Sequence, residues 1–179
     1  MTTTPAPDQP AEHGGPDGPA GAVRRAVVIV SSTRAAAGTS PDLTGPVIRD
    51  WFVSRGWLAD EPVVVADGAP VGEALAAALA QGADVVLTTG GTGLTPTDRT
   101  PEQTAPLLDR EIPGIAEELS RRGTAATPPA LLSRGLAGVA GRTVVVNLPG
   151  SRGGVRDGLA VLDPLIDHLL DQLSGGAHD

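Results

Sequence analysis

Residues 84–93, Asp-Val-Val-Leu-Thr-Thr-Gly-Gly-Thr-Gly, decide the fold. Asp84 to Thr89 is a short apolar run of the kind that forms a strand covered on both faces. It runs straight into Gly90-Gly91-Thr92-Gly93, where backbone amides are free to approach a ligand. Upstream, Val71, Ala74, Leu75, Ala78 and Leu79 fall at i, i+3, i+4, i+7 and i+8, an amphipathic helix closed by Gly82. Before that helix stand Val63-Val64-Val65 and, earlier still, Ala26-Val27-Val28-Ile29-Val30, two further strands. Ser31 to Asp42 reads as loop. A helix follows with Val47, Ile48, Trp51 and Phe52 at helical spacing, Pro46 in its first turn and Gly56 as its stop.

Downstream, Thr100-Pro101-Glu102-Gln103 has the layout of a capping box, with Thr100 as N-cap, and predicts a helix ending by Glu111. Pro113 opens another, to about Arg122. Leu131–Val139 and Arg142–Asn147 flank Ala140-Gly141 as a tight antiparallel hairpin. A helix from about Gly154 and a last one beyond Asp163-Pro164, with Leu165, Ile166, Leu169, Leu170 and Leu173 inward, complete the chain. Strands alternate with helices until the hairpin breaks the pattern. The expected architecture is α/β: a three-layer α/β/α sandwich on a mainly parallel sheet with an antiparallel edge hairpin.

Composition narrows the chemistry. The 179 residues carry 13 Lys+Arg against 21 Asp+Glu, a net charge of −8, and every one of the 13 is arginine. With no lysine there is no Schiff base and no Walker-type phosphate lysine. With no cysteine there is no thiol nucleophile, disulfide or Cys-ligated zinc. His13 and His178 lie near the chain ends, leaving His168 as the one body imidazole. What remains is carboxylate, guanidinium, hydroxyl and backbone amide, a set suited to a hard cation such as Mg²⁺. Acidic balance argues against a nucleic-acid partner. No apolar run is long enough for a membrane span, and nothing reads as a signal peptide, so a cytoplasmic location is expected. Residues 1–24 hold five Pro and four Gly with Val23 as the one large aliphatic, and are expected to be a disordered tail. The folded domain is expected over 25–173, with a flexible C-terminus at 174–179.

Four segments sit where the strands end, which is where ligands bind in such sheets. They are Ser31-Ser32-Thr33 with the loop to Asp42, Asp67, Gly90 to Asp98, and Asn147-Leu148-Pro149-Gly150-Ser151. The glycines can cradle an anion, and Asp98 stands where it could hold a metal against phosphates. Equally, GGTG is a plain loop and Asp98 a turn residue on pattern alone. Asp67 could cap the turn before the helix at Val71. Asn147 could satisfy backbone at the hairpin end, and Arg134 could be a surface charge. A dinucleotide fingerprint is excluded, because Pro96 stands where the third glycine belongs and the helix starts too late.

Taken together, residues 88–104 (TTGGTGLTPTDRTPEQT), 32–46 (STRAAAGTSPDLTGP), 131–151 (LLSRGLAGVAGRTVVVNLPGS) and Ile112-Pro113-Gly114 resemble the MoaB/Mog family of molybdenum-cofactor biosynthesis. The resemblance covers roughly residues 25–173. It implies a three-layer sandwich, a homotrimer, molybdopterin as ligand, and a possible molybdenum-insertion partner protein. In the family's active branch it implies transfer of AMP from Mg-ATP to molybdopterin. By the same resemblance Asp67 and Asp98 are the catalytic and Mg²⁺-holding carboxylates. Gly90, Gly91, Thr92 and Gly93 cradle phosphate. Ser133, Arg134, Asn147, Pro149, Gly150 and Ser151 line the pterin pocket. Two departures stand out: Ser32 where the family has Asp, and Arg152 where it has Pro. The alternative is a non-catalytic molybdopterin-binding or scaffold homologue.

Overall fold

The computed structural model describes residues 23–175. In chain order the elements are β1 (Arg25–Ser31), α1 (Thr33–Ala36), α2 (Gly45–Ser54), β2 (Leu58–Ala59), β3 (Val63–Val65), α3 (Ala69–Ala80) and β4 (Val85–Thr89). Then come α4 (Thr100–Thr104), β5 (Arg110–Glu111), α5 (Pro113–Ala126), β6 (Ala137–Ala140), β7 (Thr143–Leu148), α6 (Arg152–Leu162) and α7 (Ile166–Leu173). The sheet runs β2-β1-β4-β7-β6-β5, with β3 also paired to β1. β1, β2, β3, β4 and β7 are parallel, while β6 joins β7 and β5 joins β6 antiparallel. The expected mainly parallel sheet with an antiparallel edge hairpin is therefore what the chain forms.

Strand periodicity builds the layers. Ala26 and Val28, Val85 and Leu87, and Val144, Val146 and Leu148 face one way, against Ile48 and Phe52 of α2, Ile115 of α5, Val155 and Leu159 of α6 and Ile166 of α7. Ile29, Val86 and Val145 face the other way, against Val71, Leu75 and Ala78 of α3. Thr88 and Asn147 share this second face by the same alternation and sit side by side in register.

Five local expectations need correction. Ser31 to Asp42 is not all loop, because Ser32 caps the short α1 by accepting from Ala35 N at 3.2 Å. Thr100 is the first residue of α4 and not its cap; its hydroxyl is fully buried and donates to the Gly90 carbonyl at 3.0 Å. That helix ends at Thr104 and passes into a 3-10 turn, Ala105–Leu107, since Pro106 has no N–H for a helical bond. α5 runs on to Ala126. Leu131 belongs to a second 3-10 turn, Pro128–Leu132, and strand pairing begins only at Ala137.

Arg24, which composition alone assigns to the tail, is tied to the body. Its guanidinium pairs with Asp167 and Asp171 and lies 5.5 Å from the Trp57 ring centroid. The remainder of the expected tail, 1–22, and residues 176–179 lie outside the described residues. Deleting 1–22 is expected to leave the melting temperature unchanged, whereas Arg24→Ala is expected to cost about 1–2 kcal/mol. Thermal melts of the two variants check both. A loss on the deletion comparable with that of Arg24→Ala would show that the leader carries folding energy.

Candidate functional site at the carboxyl ends of the parallel strands

Because β1, β3, β4 and β7 are parallel, their carboxyl ends meet at one edge, and that edge collects the expected residues. Gly90 N donates to Leu148 O at 3.1 Å, and the Thr89 hydroxyl donates to Pro149 O at 2.8 Å, so the β4 and β7 loops are stitched together. Gly90 has φ +93°, and a side chain there would run into the Ser31 carbonyl. A Cβ on Gly150 would lie 3.1 Å from Gly90 Cα. These glycines are required for three strand ends to approach one another.

Asp67 is held from two sides. Its Oδ1 accepts from the Ser31 hydroxyl at 2.7 Å, and its Oδ2 from Thr33 N at 3.1 Å and the Thr33 hydroxyl at 2.8 Å. Partial burial pushes this carboxyl up, but the hydrogen bonds from Ser31 and Thr33 together outweigh it and hold Asp67 below its ordinary value. It is an ionised group at neutral pH, aimed by its neighbours. A Cβ on Gly91 would sit 3.2 Å from its Oδ1, so Asp67 abuts the glycine loop directly. Asp98 abuts the same loop at Gly93, where a Cβ would lie 2.7 Å from its Oδ2. That oxygen accepts from Thr95 N at 3.1 Å.

Arg134 was expected to line a pocket, and instead it clamps the loop from behind. Its Nε donates to Gly93 O at 2.9 Å, its Nη2 to Asp98 O at 2.8 Å, and its Nη1 pairs with Glu102. The bond to Arg134 holds the Glu102 carboxyl below its usual range. Arg134 N also donates to Thr92 O, and the Ser133 hydroxyl to Thr92 Oγ1 at 3.2 Å. One guanidinium thus fixes both ends of the Gly93–Asp98 turn.

These features match known proteins. The model of the probable molybdopterin binding domain family matches residues 26–168. The chain belongs to this family. A molybdenum cofactor biosynthesis bifunctional protein of Synechococcus elongatus is 42% identical over 154 residues, 86% of this chain and 48% of that protein. A molybdopterin adenylyltransferase of Helicobacter pylori is 36% identical over 92 residues, 51% of this chain and 52% of that one. Among solved structures, the molybdopterin biosynthesis Mog protein of Mycobacterium ulcerans is 53% identical, with a TM-score of 0.81 over 84% of this chain and 99% of that one. The chain spans about half the length of the first curated relatives it matches.

A cleft of about 350 Å³ opens beside the loop. Its walls are Thr92 and Gly93, the inner face of α5 with the Thr127–Leu132 turn, and Pro149 to Gly154 leading into α6. Ser133, Asn147, Pro149, Gly150 and Ser151 border it, while Asp67, Gly90, Gly91, Asp98 and Arg134 do not. The carboxylates and the cleft are two neighbouring compartments sharing the Thr92–Gly93 wall.

Two of the bordering residues use polar atoms within the chain. The Ser151 hydroxyl caps α6 by accepting from Gly154 N at 3.0 Å. Asn147 is 1% exposed; its Oδ1 accepts from Leu136 N, and its Nδ2 donates to the Thr88 and Thr104 hydroxyls at 3.0 Å each. Reading the sequence placed Ser31 and Thr33 at a strand end without showing that they hold Asp67, and did not show that Thr100 bonds to the glycine loop. It also missed the α5 wall and Asp157, which borders the cleft from α6. Only the strand-end position of Ser31 was a usable signal for any of these.

Among the described residues no three His, Cys, Asp or Glu side chains gather as a metal site. The donor set at the loop is two aspartates, which fits a cation that takes its other ligands from phosphate and water, as Mg²⁺ does. No described helix is long and apolar enough to cross a membrane.

Proposed function

We propose that the chain binds molybdopterin in the α5–α6 cleft and transfers AMP to it from Mg-ATP. A terminal phosphate oxygen of molybdopterin attacks the α-phosphorus of ATP. The new P–O bond forms as the bond to pyrophosphate breaks, and pyrophosphate leaves with the charge. The observation that carries this reading is the placement of an ionised, hydrogen-bonded Asp67 and of Asp98 against one glycine loop that also walls the cleft. Such a reaction needs little beyond alignment of the two phosphates and stabilisation of charge in flight. Asp67 and Asp98 would hold Mg²⁺, which when bound neutralises charge on the pyrophosphate. Arg134 keeps the loop in shape, and the cleft fixes the pterin so that its phosphate reaches the loop. The name of the Helicobacter pylori relative supports the same activity.

A homotrimer and a molybdenum-inserting partner protein belong to this reading through the resemblance. A cytoplasmic location belongs to it too, read from the composition with its zero cysteine.

The second reading, a molybdopterin-binding scaffold, is favoured by one observation: the Ser32 hydroxyl caps α1 by accepting from Ala35 N and supplies no charge where the family has a carboxylate. Mixing the full chain with Mg-ATP and molybdopterin separates the two. The expected result is pyrophosphate release dependent on all three components. Molybdopterin binding without pyrophosphate release would establish the scaffold instead.

A further inference from the structure

The cleft is apolar for most of its surface, bordered by Ala116, Leu119, Ala126, Pro129, Ala130 and Leu132. Among the described residues that line it, Asp157 is the one ionisable group. It projects from α6, is half-buried, and makes no hydrogen bond or ion pair within the described chain. Arg152 and Arg156 on the same helix form no ion pair with it among those residues. A carboxylate at an apolar wall without a protein partner has both oxygens free to accept from a ligand that supplies donors. Gly153 of α6 borders the cleft next to it and has nothing within 4 Å of the place a Cβ would take, which leaves room there for a flat ring.

We propose that Asp157 reads the 2-amino-4-oxo edge of a planar heterocycle in the cleft, and so sets its ligand specificity. This rests on the pterin reading of the cleft given above. The edge presents an N3–H and a 2-amino N–H side by side in the ring plane, matched to the two oxygens of one carboxylate, as a guanidinium fork is. A 2-oxo ring turns one of those donors into a carbonyl oxygen facing a negative charge, which rejects it. Adenine offers a donor beside an acceptor on its pairing edge and fails for the same reason. The carboxylate therefore sorts the two substrates, keeping the adenine of ATP out of the compartment meant for the other heterocycle.

The test is a fluorescence titration of the full chain with 6-hydroxymethylpterin and with 6-hydroxymethyl-lumazine, which differ in the 2-amino group alone. The parent is expected to prefer the pterin by roughly 10- to 100-fold, the range of a charge-assisted hydrogen bond. Asp157→Asn, isosteric but neutral, is expected to bring the two affinities within about 3-fold of each other, at an unchanged melting temperature. Equal binding of both compounds by the parent overturns the proposal without any variant being needed. A preference that persists undiminished in Asp157→Asn also overturns it, and leaves the pterin reading standing. A parent that binds neither compound overturns the pterin reading of the cleft, and the role of Asp157 with it.

Discussion

Asp98→Asn is expected to lower AMP transfer to molybdopterin by about 10²- to 10³-fold, with pterin binding and melting temperature close to those of the parent. The asymmetry follows from geometry. An amide can still accept from Thr95 N through its one carbonyl oxygen, so the turn survives. The charge is what disappears, and a cation shared with phosphates is held by charge. Asp98 does not border the cleft, so the pterin has no reason to leave.

Asp67→Asn is expected to lose activity to the same extent and to lose stability as well. One side of the Asp67 carboxylate faces the Ser31 hydroxyl, the other Thr33 N and the Thr33 hydroxyl. With the amide oxygen kept toward Thr33 and the NH₂ toward Ser31, what is lost is the charge assistance of these bonds, about 1 kcal/mol. The hydroxyl of Ser31 can rotate to accept, whereas a backbone N–H cannot. pH supplies an independent check. The folded-state value of Asp67 is depressed, so its contribution to stability is full above the ordinary aspartate value of 3.8 and is lost as pH falls through the folded value. The melting-temperature gap between parent and Asp67→Asn should therefore narrow below about pH 4. Pyrophosphate release assayed beside melts at pH 7 and pH 3 tests both halves. Full turnover by either variant would remove that aspartate from the catalytic centre.

What the sequence made legible, it did through patterns that local physics enforces. Continuous β-branched runs gave β1, β4 and β7, and the i, i+3, i+4 spacing gave α3, since burial on two faces or one leaves such marks. Parallel order then brought Asp67, the glycine loop and Asn147–Ser151 to one edge with no further information. The rest depended on partners remote in the chain. β2 and β5 are two residues each and exist because β1 and β6 lie beside them. Thr100-Pro101-Glu102-Gln103 carries every local sign of a cap, yet the Gly90 carbonyl takes the hydroxyl first. Arg134 lines the pocket by the family resemblance and reads as a surface charge by pattern alone; the direction of a long side chain is set by what waits at its end, here two loop carbonyls. The Leu131 segment read as strand because it is apolar, although Pro128 and Pro129 just ahead of it favour a tight turn.

Asn147 is where the structural and the ligand-binding expectations diverge most, and Asn147→Asp decides between them. Thr104 spends its single hydroxyl proton on the Thr100 carbonyl at 2.8 Å, so toward Asn147 it can only accept. Only a donor at the Nδ2 position fits, and the Asn147 amide is that donor while its oxygen accepts from Leu136 N. A carboxylate would place one oxygen against the lone pairs of Thr104 in a site 1% exposed, with no cation beside it. The expected loss is about 2–4 kcal/mol at neutral pH, the usual range for burying an unpaired charge and breaking a network. The new carboxyl would be raised above its unfolded value, because its protonated form restores a donor. Its penalty is therefore absent at low pH and grows as pH rises through the unfolded value toward the folded one. A melting-temperature deficit that widens from pH 4 to pH 7 is the expected signature. Asn147→Ala should lose a similar amount, leaving Leu136 N without a partner, but with no such pH dependence. Were Asn147 a ligand contact instead, both variants would melt like the parent and bind molybdopterin less well. The hydrogen bonds to Leu136, Thr88 and Thr104 require the opposite order of effects: stability falls first, and binding follows only because the β7 loop that borders the cleft has lost its anchor.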